Sequence, residues 1–188
     1  AREVLSALDA RWPNDPTTLY RLTYLDYMLF ESAARAGRTE LSSQAIAAAQ
    51  ARIGQLLALE AHDRALTTLK VNIGQSYAQD LSNRGRHVDA IAEQRKVLAT
   101  VAARLTPERR AITLADLGHS HLVLGVIGRK AGDRALACES WGRSRALFDE
   151  VIKKQPLTGF HASFQKGLDA NLALCAAGAP ASAMGALK

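Results

Sequence analysis

Four amide side chains, Asn72, Gln75, Gln79 and Asn83, follow one another at spacings of three, four and four. That is the interval at which residues share one face of a helix. An amide carries two N–H donors and a carbonyl acceptor, so a row of them can hold the backbone of an extended peptide. The plainer reading is a polar face turned to water. Two histidines, His119 and His121, add titratable nitrogens, but side chains two apart on a helix point to different faces and cannot share one metal. His121 reads as a substitute for a packing aromatic, and His119 as a group able to hydrogen-bond a ligand. Leu122 and Asn171 complete the candidate binding residues.

Catalytic patterns are missing from the chain. It contains no Gly-rich phosphate loop of the P-loop or dinucleotide type, no H-E-x-x-H and no Gly-x-Ser-x-Gly elbow. No kinase catalytic segment is present either. The expectation is a protein that is not an enzyme, with no catalytic residues, no metal site and no cofactor. Cys138 and Cys175 lie about equally far from a turn near Pro156, so an antiparallel hairpin would bring them to similar height. Two cysteines are too few for a disulfide scaffold. Two small core residues are the expected reading, and a redox clasp is the alternative. Tyr20, Tyr24, Tyr27 and Phe30 follow helical spacing; packing is the default for them, and an exposed docking patch the alternative.

These residues must be carried by helices. Alanine and leucine are plentiful, aromatics are 5% of the chain, and β-branched residues form no alternating runs. The prolines at 13, 16, 107, 156 and 180 stand where helices start or stop. The pattern predicts a short helix over 1–12, then helices over about 16–36, 40–60, 64–83, 87–105, 107–130, 133–155 and 158–177. Pro16 and Pro107 sit at first helical positions, capped by Asp15 and Thr106. The helix over 87–105 is expected to bury Val88, Ile91, Leu98, Val101 and Leu105. Gln44-Ala45-Ile46-Ala47, Asp89-Ala90-Ile91-Ala92 and Arg134-Ala135-Leu136-Ala137 match, with their first alanines 45 residues apart and a glycine before each (Gly37, Gly85, Gly132). A fixed period in this range indicates one supersecondary unit stacked on copies of itself.

Charge and hydropathy narrow the partner. Net charge is +6, and the basic excess lies after residue 60. Because the basic residues are scattered, a solvated helix surface fits better than a phosphate-binding patch, although an acidic partner is compatible. Nucleic acid is disfavoured, since interleaved aromatics and a recognised motif are both lacking. No apolar run reaches the length of a membrane span, and no signal-peptide pattern opens the chain. It starts at Ala1 without Met, as a mature form or an excised piece would. A cytoplasmic location is expected, with the periplasm as the alternative for a fragment.

The run Ile73-Gly74-Gln75-Ser76-Tyr77 resembles the first-helix signature of the tetratricopeptide repeat, and Leu117-Gly118-His119-Ser120-His121 repeats it with His121 in place of the aromatic. Gly85 followed by Ala90 is similar to that family's second-helix signature, and Gly132 followed by Ala135 or Ala137 matches it more loosely. Pro107 and Pro156 stand where the family places a proline after the second helix. Units of that family repeat about every 34 residues, so both helices here are longer.

The resemblance implies an all-α, right-handed α-α superhelix of antiparallel helix pairs. It implies that Gly74 and Gly118 sit where helices cross, and that first-helix residues such as Asn72, Gln75, Gln79, His119 and Leu122 line a concave groove. One helical-repeat domain over 1–178 is expected, with units of about 16–60, 62–105 and 107–154, a capping helix over 158–177 and a flexible tail over 179–188. The function so implied is a scaffold or regulatory domain binding a protein or peptide in that groove. The alternatives are a ligand-sensing accessory domain of a larger signalling protein, such as a bacterial serine/threonine kinase, and a homodimer.

Overall fold

The computed structural model describes residue 7, residues 10–12, 14–60, 63–157 and 159–176. The predicted tail over 179–188, most of the helix predicted over 1–12, the connection at 61–62 and position 158 lie outside them. Among the described residues the protein is all-α and has no strand. The helices are α1 (Pro16–Arg35), α2 (Thr39–Leu59), α3 (Arg64–Asn83), α4 (His87–Ala102), α5 (Arg110–Lys130), α6 (Arg134–Ile152), α7 (Gly159–Ala162) and α8 (Gln165–Ala176), with a 3-10 turn at Pro107–Arg109 before α5. The chain divides into two compact units, Ala1–Tyr77 and Ala78–Lys188, so α3 runs from the first into the second.

Three turns share one construction. Gly37, Gly85 and Gly132 all have positive φ, at 68°, 77° and 75°, a backbone that only glycine adopts without strain. At each, the glycine N–H bonds the carbonyl three residues back (Ala34, Ser82, Arg129). The next N–H (Arg38, Arg86, Asp133) bonds the carbonyl five back (Ala33, Leu81, Gly128). This is the Schellman ending of a helix, repeated three times. Burial keeps the same register. Ser42, Ala90 and Ala137 lie five residues after their glycines, and Ile46, Gln94 and Trp141 nine after. Ala49, Val97 and Ser144 lie twelve after, and Ile53, Val101 and Phe148 sixteen after; all of these are buried.

The repeat is therefore counted from glycine to glycine, 85 − 37 = 48 and 132 − 85 = 47 residues, and not from the 45-spaced alanines. Ala45 and Ala90 are buried but Ala135 is exposed, and Ala137 takes the buried place. The alanine match over-weighted a residue common on every face of a helix.

In the first unit α1 packs on α2, and the core joins Leu19 and Phe30 of α1, Ile46, Ala49, Ile53 and Leu56 of α2, and Leu66, Leu69 and Ile73 of α3. Asp15 caps α1, accepting from Thr18 N–H at 2.7 Å. Asp26, with a side chain only 1% exposed, is ion-paired to Arg52 of α2. In the second unit α5 packs on α4 and α6, and α6 also packs on α8. The core there gathers Leu114, Ala115, Ala137, Trp141, Phe148, Val151 and Leu168.

Several expectations shift. The helix predicted over 87–105 ends at Ala102 and presents another face. Val101 is buried as expected, but Val88 is 82% exposed and Leu105 is exposed, while Ala90, Gln94 and Val97 are buried. Ala90 lets the backbones approach, and the buried Gln94 amide donates to the Ser120 carbonyl of α5 at 2.8 Å. That bond offsets part of the cost of burying the amide, whose carbonyl oxygen has no partner, and an apolar pattern cannot reveal such a position. Thr106 makes no side-chain cap, and a 3-10 turn precedes α5. The helix predicted over 158–177 is broken into α7 and α8.

Among the described residues, α5 alone is long and apolar enough to cross a membrane, and 56% of its apolar stretch is buried. Its apolarity supplies the second unit's core.

Candidate functional site

The second unit holds a cavity of about 270 Å³. Its walls are Gln79, Ser82 and Asn83 from the end of α3, and His119, Leu122, Val123, Val126, Ile127 and Lys130 from α5. Phe164, between α7 and α8, closes one side. Three of the sequence-predicted residues, Gln79, His119 and Leu122, thus meet in one place. Asn83, from the same amide row, joins them and accepts a hydrogen bond from Lys130.

Half of these side chains are apolar and half polar, and Lys130 is the one that can only donate. The Ser82 hydroxyl is buried and has no hydrogen-bond partner. The His119 ring stacks on Phe164 with centroids 4.5 Å apart. Burial drives its pKa down to about 4, aided by nearby His161 and opposed by Asp116, so at neutral pH the imidazole is uncharged. Phe164 is held from both sides. His161 on α7 lies 3.2 Å from Asp116 of α5, and α8 is fastened to α6. The fastening consists of the Cys138–Cys175 disulfide, the Arg134 guanidinium donating to the Cys175 carbonyl at 2.9 Å, and an Arg145–Asp169 ion pair. The cysteines are therefore joined rather than two free core residues. Sequence placed them at equal height in a hairpin but could not set the rotation that turns them together.

The remaining predicted residues lie elsewhere. Gln75 is only 8% exposed, and it has a partner of its own. Asn171 is 9% exposed, with its carbonyl 3.5 Å from Arg129. Asn72 lines a separate, open depression of the first unit together with Tyr20, Tyr24, Asp63, Arg64 and Thr68. The tyrosine stripe splits: Phe30 is core, Tyr27 bonds Ser76 Oγ at 3.0 Å, and Tyr20 and Tyr24 are 40% and 48% exposed.

The glycine register explains this sorting. Tyr24, Asn72 and His119 stand thirteen residues before their glycines; Tyr27, Gln75 and Leu122 stand ten before. Chemically different side chains thus occupy one repeated position. Sequence reasoning missed Ser82, Lys130 and Phe164. Ser82 and Lys130 flank the turn glycines closely enough to have been found by aligning on Gly85 and Gly132. Phe164 carries no repeat signal.

Gly118 was expected at a helix crossing, and it is there: a Cβ on it would stand 2.8 Å from Phe148 Cε1. His121, half-buried, has its pKa lowered by burial and then by Arg143. No cluster of three or more metal-ligating side chains occurs among the described residues. Compared with known proteins, the chain matches no family, no curated protein and no solved structure.

Proposed function

We propose that this protein is a non-catalytic binding module, a right-handed, tetratricopeptide-like stack of helical hairpins that seats a protein or peptide segment against its first helices. The observation that carries the reading is the convergence of Gln79, His119 and Leu122 on one cavity of the second unit. Rigid helices hold these groups in place, so little ordering cost falls on the protein when a partner binds. Gln79 supplies both amide donors and an acceptor, and Leu122 and Val126 supply apolar contact. Peptides selected from a random library on the folded protein are expected to lose about tenfold in affinity when Gln79→Ala and Leu122→Ala are combined, with helical circular dichroism retained and Tm lowered only by what Leu122 contributes to the core. Retained affinity in that double variant removes the site assignment.

A second reading is favoured by one feature. Phe164 stacks over His119 and walls the cavity, which suits a small ligand held between helices, as in a sensor domain of a larger signalling protein. The Cys138–Cys175 disulfide bears on location. Structural disulfides persist in oxidising compartments and are rare in the cytosol, so of the two expected locations the periplasm is the better supported. Thiol titration of denatured protein purified without reductant is expected to find no free cysteine; two thiols would return the reading to the cytoplasm.

A further inference from the structure

The cavity of the second unit has a polarity that specifies its occupant more closely than the word groove does. One end is polar. Lys130 brings an ammonium group. Asn83 accepts from Lys130 through its carbonyl oxygen, which leaves its amino group to donate. Gln79 adds a second amide, and the buried Ser82 hydroxyl has no hydrogen-bond partner. None of the described lining residues is acidic, and His119 adds no charge at neutral pH because burial keeps its imidazole deprotonated. The apolar part of the lining is Leu122, Val123, Val126, Ile127 and Phe164. At about 270 Å³ the space lies just below the range of drug-sized sites.

We infer that the cavity binds a small amphipathic carboxylic acid, its carboxylate accepting from Lys130 and Asn83 and its short hydrocarbon chain lying on Leu122, Val126, Ile127 and Phe164. The inference rests on reading this cavity as a binding site and adds the chemical class of what enters it. The ammonium selects an anion, and charge-assisted hydrogen bonds to a carboxylate are stronger than those to a neutral oxygen. The apolar end rejects a bare inorganic anion, which would leave that surface wet and forfeit the gain from covering it.

The test is calorimetric titration of the whole protein with octanoate, 1-octanol, octylamine and inorganic phosphate, alongside a peptide ending in leucine. Octanoate is expected to bind and to raise Tm, with octanol at least tenfold weaker and octylamine and phosphate silent. Lys130→Met is expected to weaken octanoate about tenfold while leaving octanol unchanged. Val126→Trp, which fills the apolar end, is expected to abolish binding in a protein whose circular dichroism is unaltered. Equal binding of octanol and octanoate, octanoate binding that survives Val126→Trp, or no binding of octanoate overturns the proposal. If the peptide binds through Gln79 and Leu122 while octanoate does not, the free-acid assignment fails and the peptide-binding reading stands. If neither binds, both fail.

Discussion

The hairpin α1/α2 of the first unit and the hairpin α5/α6 of the second end their leading helices with the same hydrogen-bonded glycine turn, yet they fill the space behind it in opposite ways. In α1/α2 the bulk is on the leading helix: Phe30 is buried, and it faces a second helix whose core includes Ala45 and Ala49. In α5/α6 the bulk is on the second helix. Trp141 and Phe148 lie against Gly125 and Gly118, and Ala137 lies against Gly128. Seven residues before the turn glycine, Phe30 in one hairpin corresponds to Gly125 in the other; nine after it, Ile46 corresponds to Trp141. Helix interfaces are close-packed, so volume lost at one position must be returned at its neighbour. The repeated turn is kept, while the helix that carries the bulky side chain is not.

The two units also differ in how they use polar groups. The first buries an ion pair, Asp26–Arg52. The second ties α6 to α8 with a disulfide and polar links. A buried ion pair adds little net stability, but losing one partner is expensive because the other charge stays buried. Arg52→Met is therefore expected to cost about 3–5 kcal/mol in urea unfolding, the largest effect in this comparison. Asp26→Leu combined with Arg52→Met is expected to recover most of it. A single variant that costs less than about 1 kcal/mol would show that the pair is solvated and that the two units are not distinguished by it.

The size exchange in α5/α6 gives a smaller effect with a built-in control. A Cβ on Gly125 lands on the Trp141 indole, with Cε2 2.9 Å away, whereas one on Gly142 of α6 meets nothing within 4 Å. Overpacking costs about 1–3 kcal/mol, and alanine gains about 0.5–1 kcal/mol over glycine inside a helix. Gly125→Ala is expected to destabilise by about 2 kcal/mol net and Gly142→Ala to stabilise slightly. Trp141→Leu in the Gly125→Ala background is expected to return part of the loss. Equal signs for the two glycine variants would dissolve the claim that α5 glycines exist to admit α6 aromatics.

How far the sequence could be read follows from the same facts. Helix class and most boundaries were legible because prolines and glycines mark ends, and the cores of α2 and α3 followed apolar spacing. The face of α4 was not, because its buried stripe contains Gln94, whose amino group donates to the Ser120 carbonyl; polarity hid a core position. The period was mistaken because alanine recurs everywhere, while the backbone sign at Gly37, Gly85 and Gly132 is invisible in composition. Of the candidate site, Gln79, His119 and Leu122 were legible. Phe164 was not, since its place depends on the break between α7 and α8 and on the disulfide beyond it. Gln75 was misjudged for a simple reason: on α3 it sits beside the buried Gly74 and Ile73, where the helix faces the core.

His119 gives the smallest of the expected effects and the one that separates the units most cleanly, since all the histidines among the described residues belong to the second unit. An unfolded histidine binds its proton near pH 6.5; folded His119 does so only near about 4, because burial disfavours the imidazolium and His161 adds to the penalty. Between these values the unfolded state carries the extra proton, so stability falls as pH falls. The stabilisation is complete above about pH 6.5 and is lost as the pH drops towards about 4, with no further loss from this group below that. After allowance for the solvent that reaches a partly exposed ring, the change amounts to about 1–2 kcal/mol. His119→Gln cannot take up that proton, so its stability is expected to decline less steeply over the same interval than that of the unaltered protein. Native-state hydrogen exchange is expected to register the difference at α5 while α1 and α2 keep their protection. Parallel stability curves for the two proteins would mean that the ring is solvated in the folded state, and the cavity wall would lose its neutral imidazole.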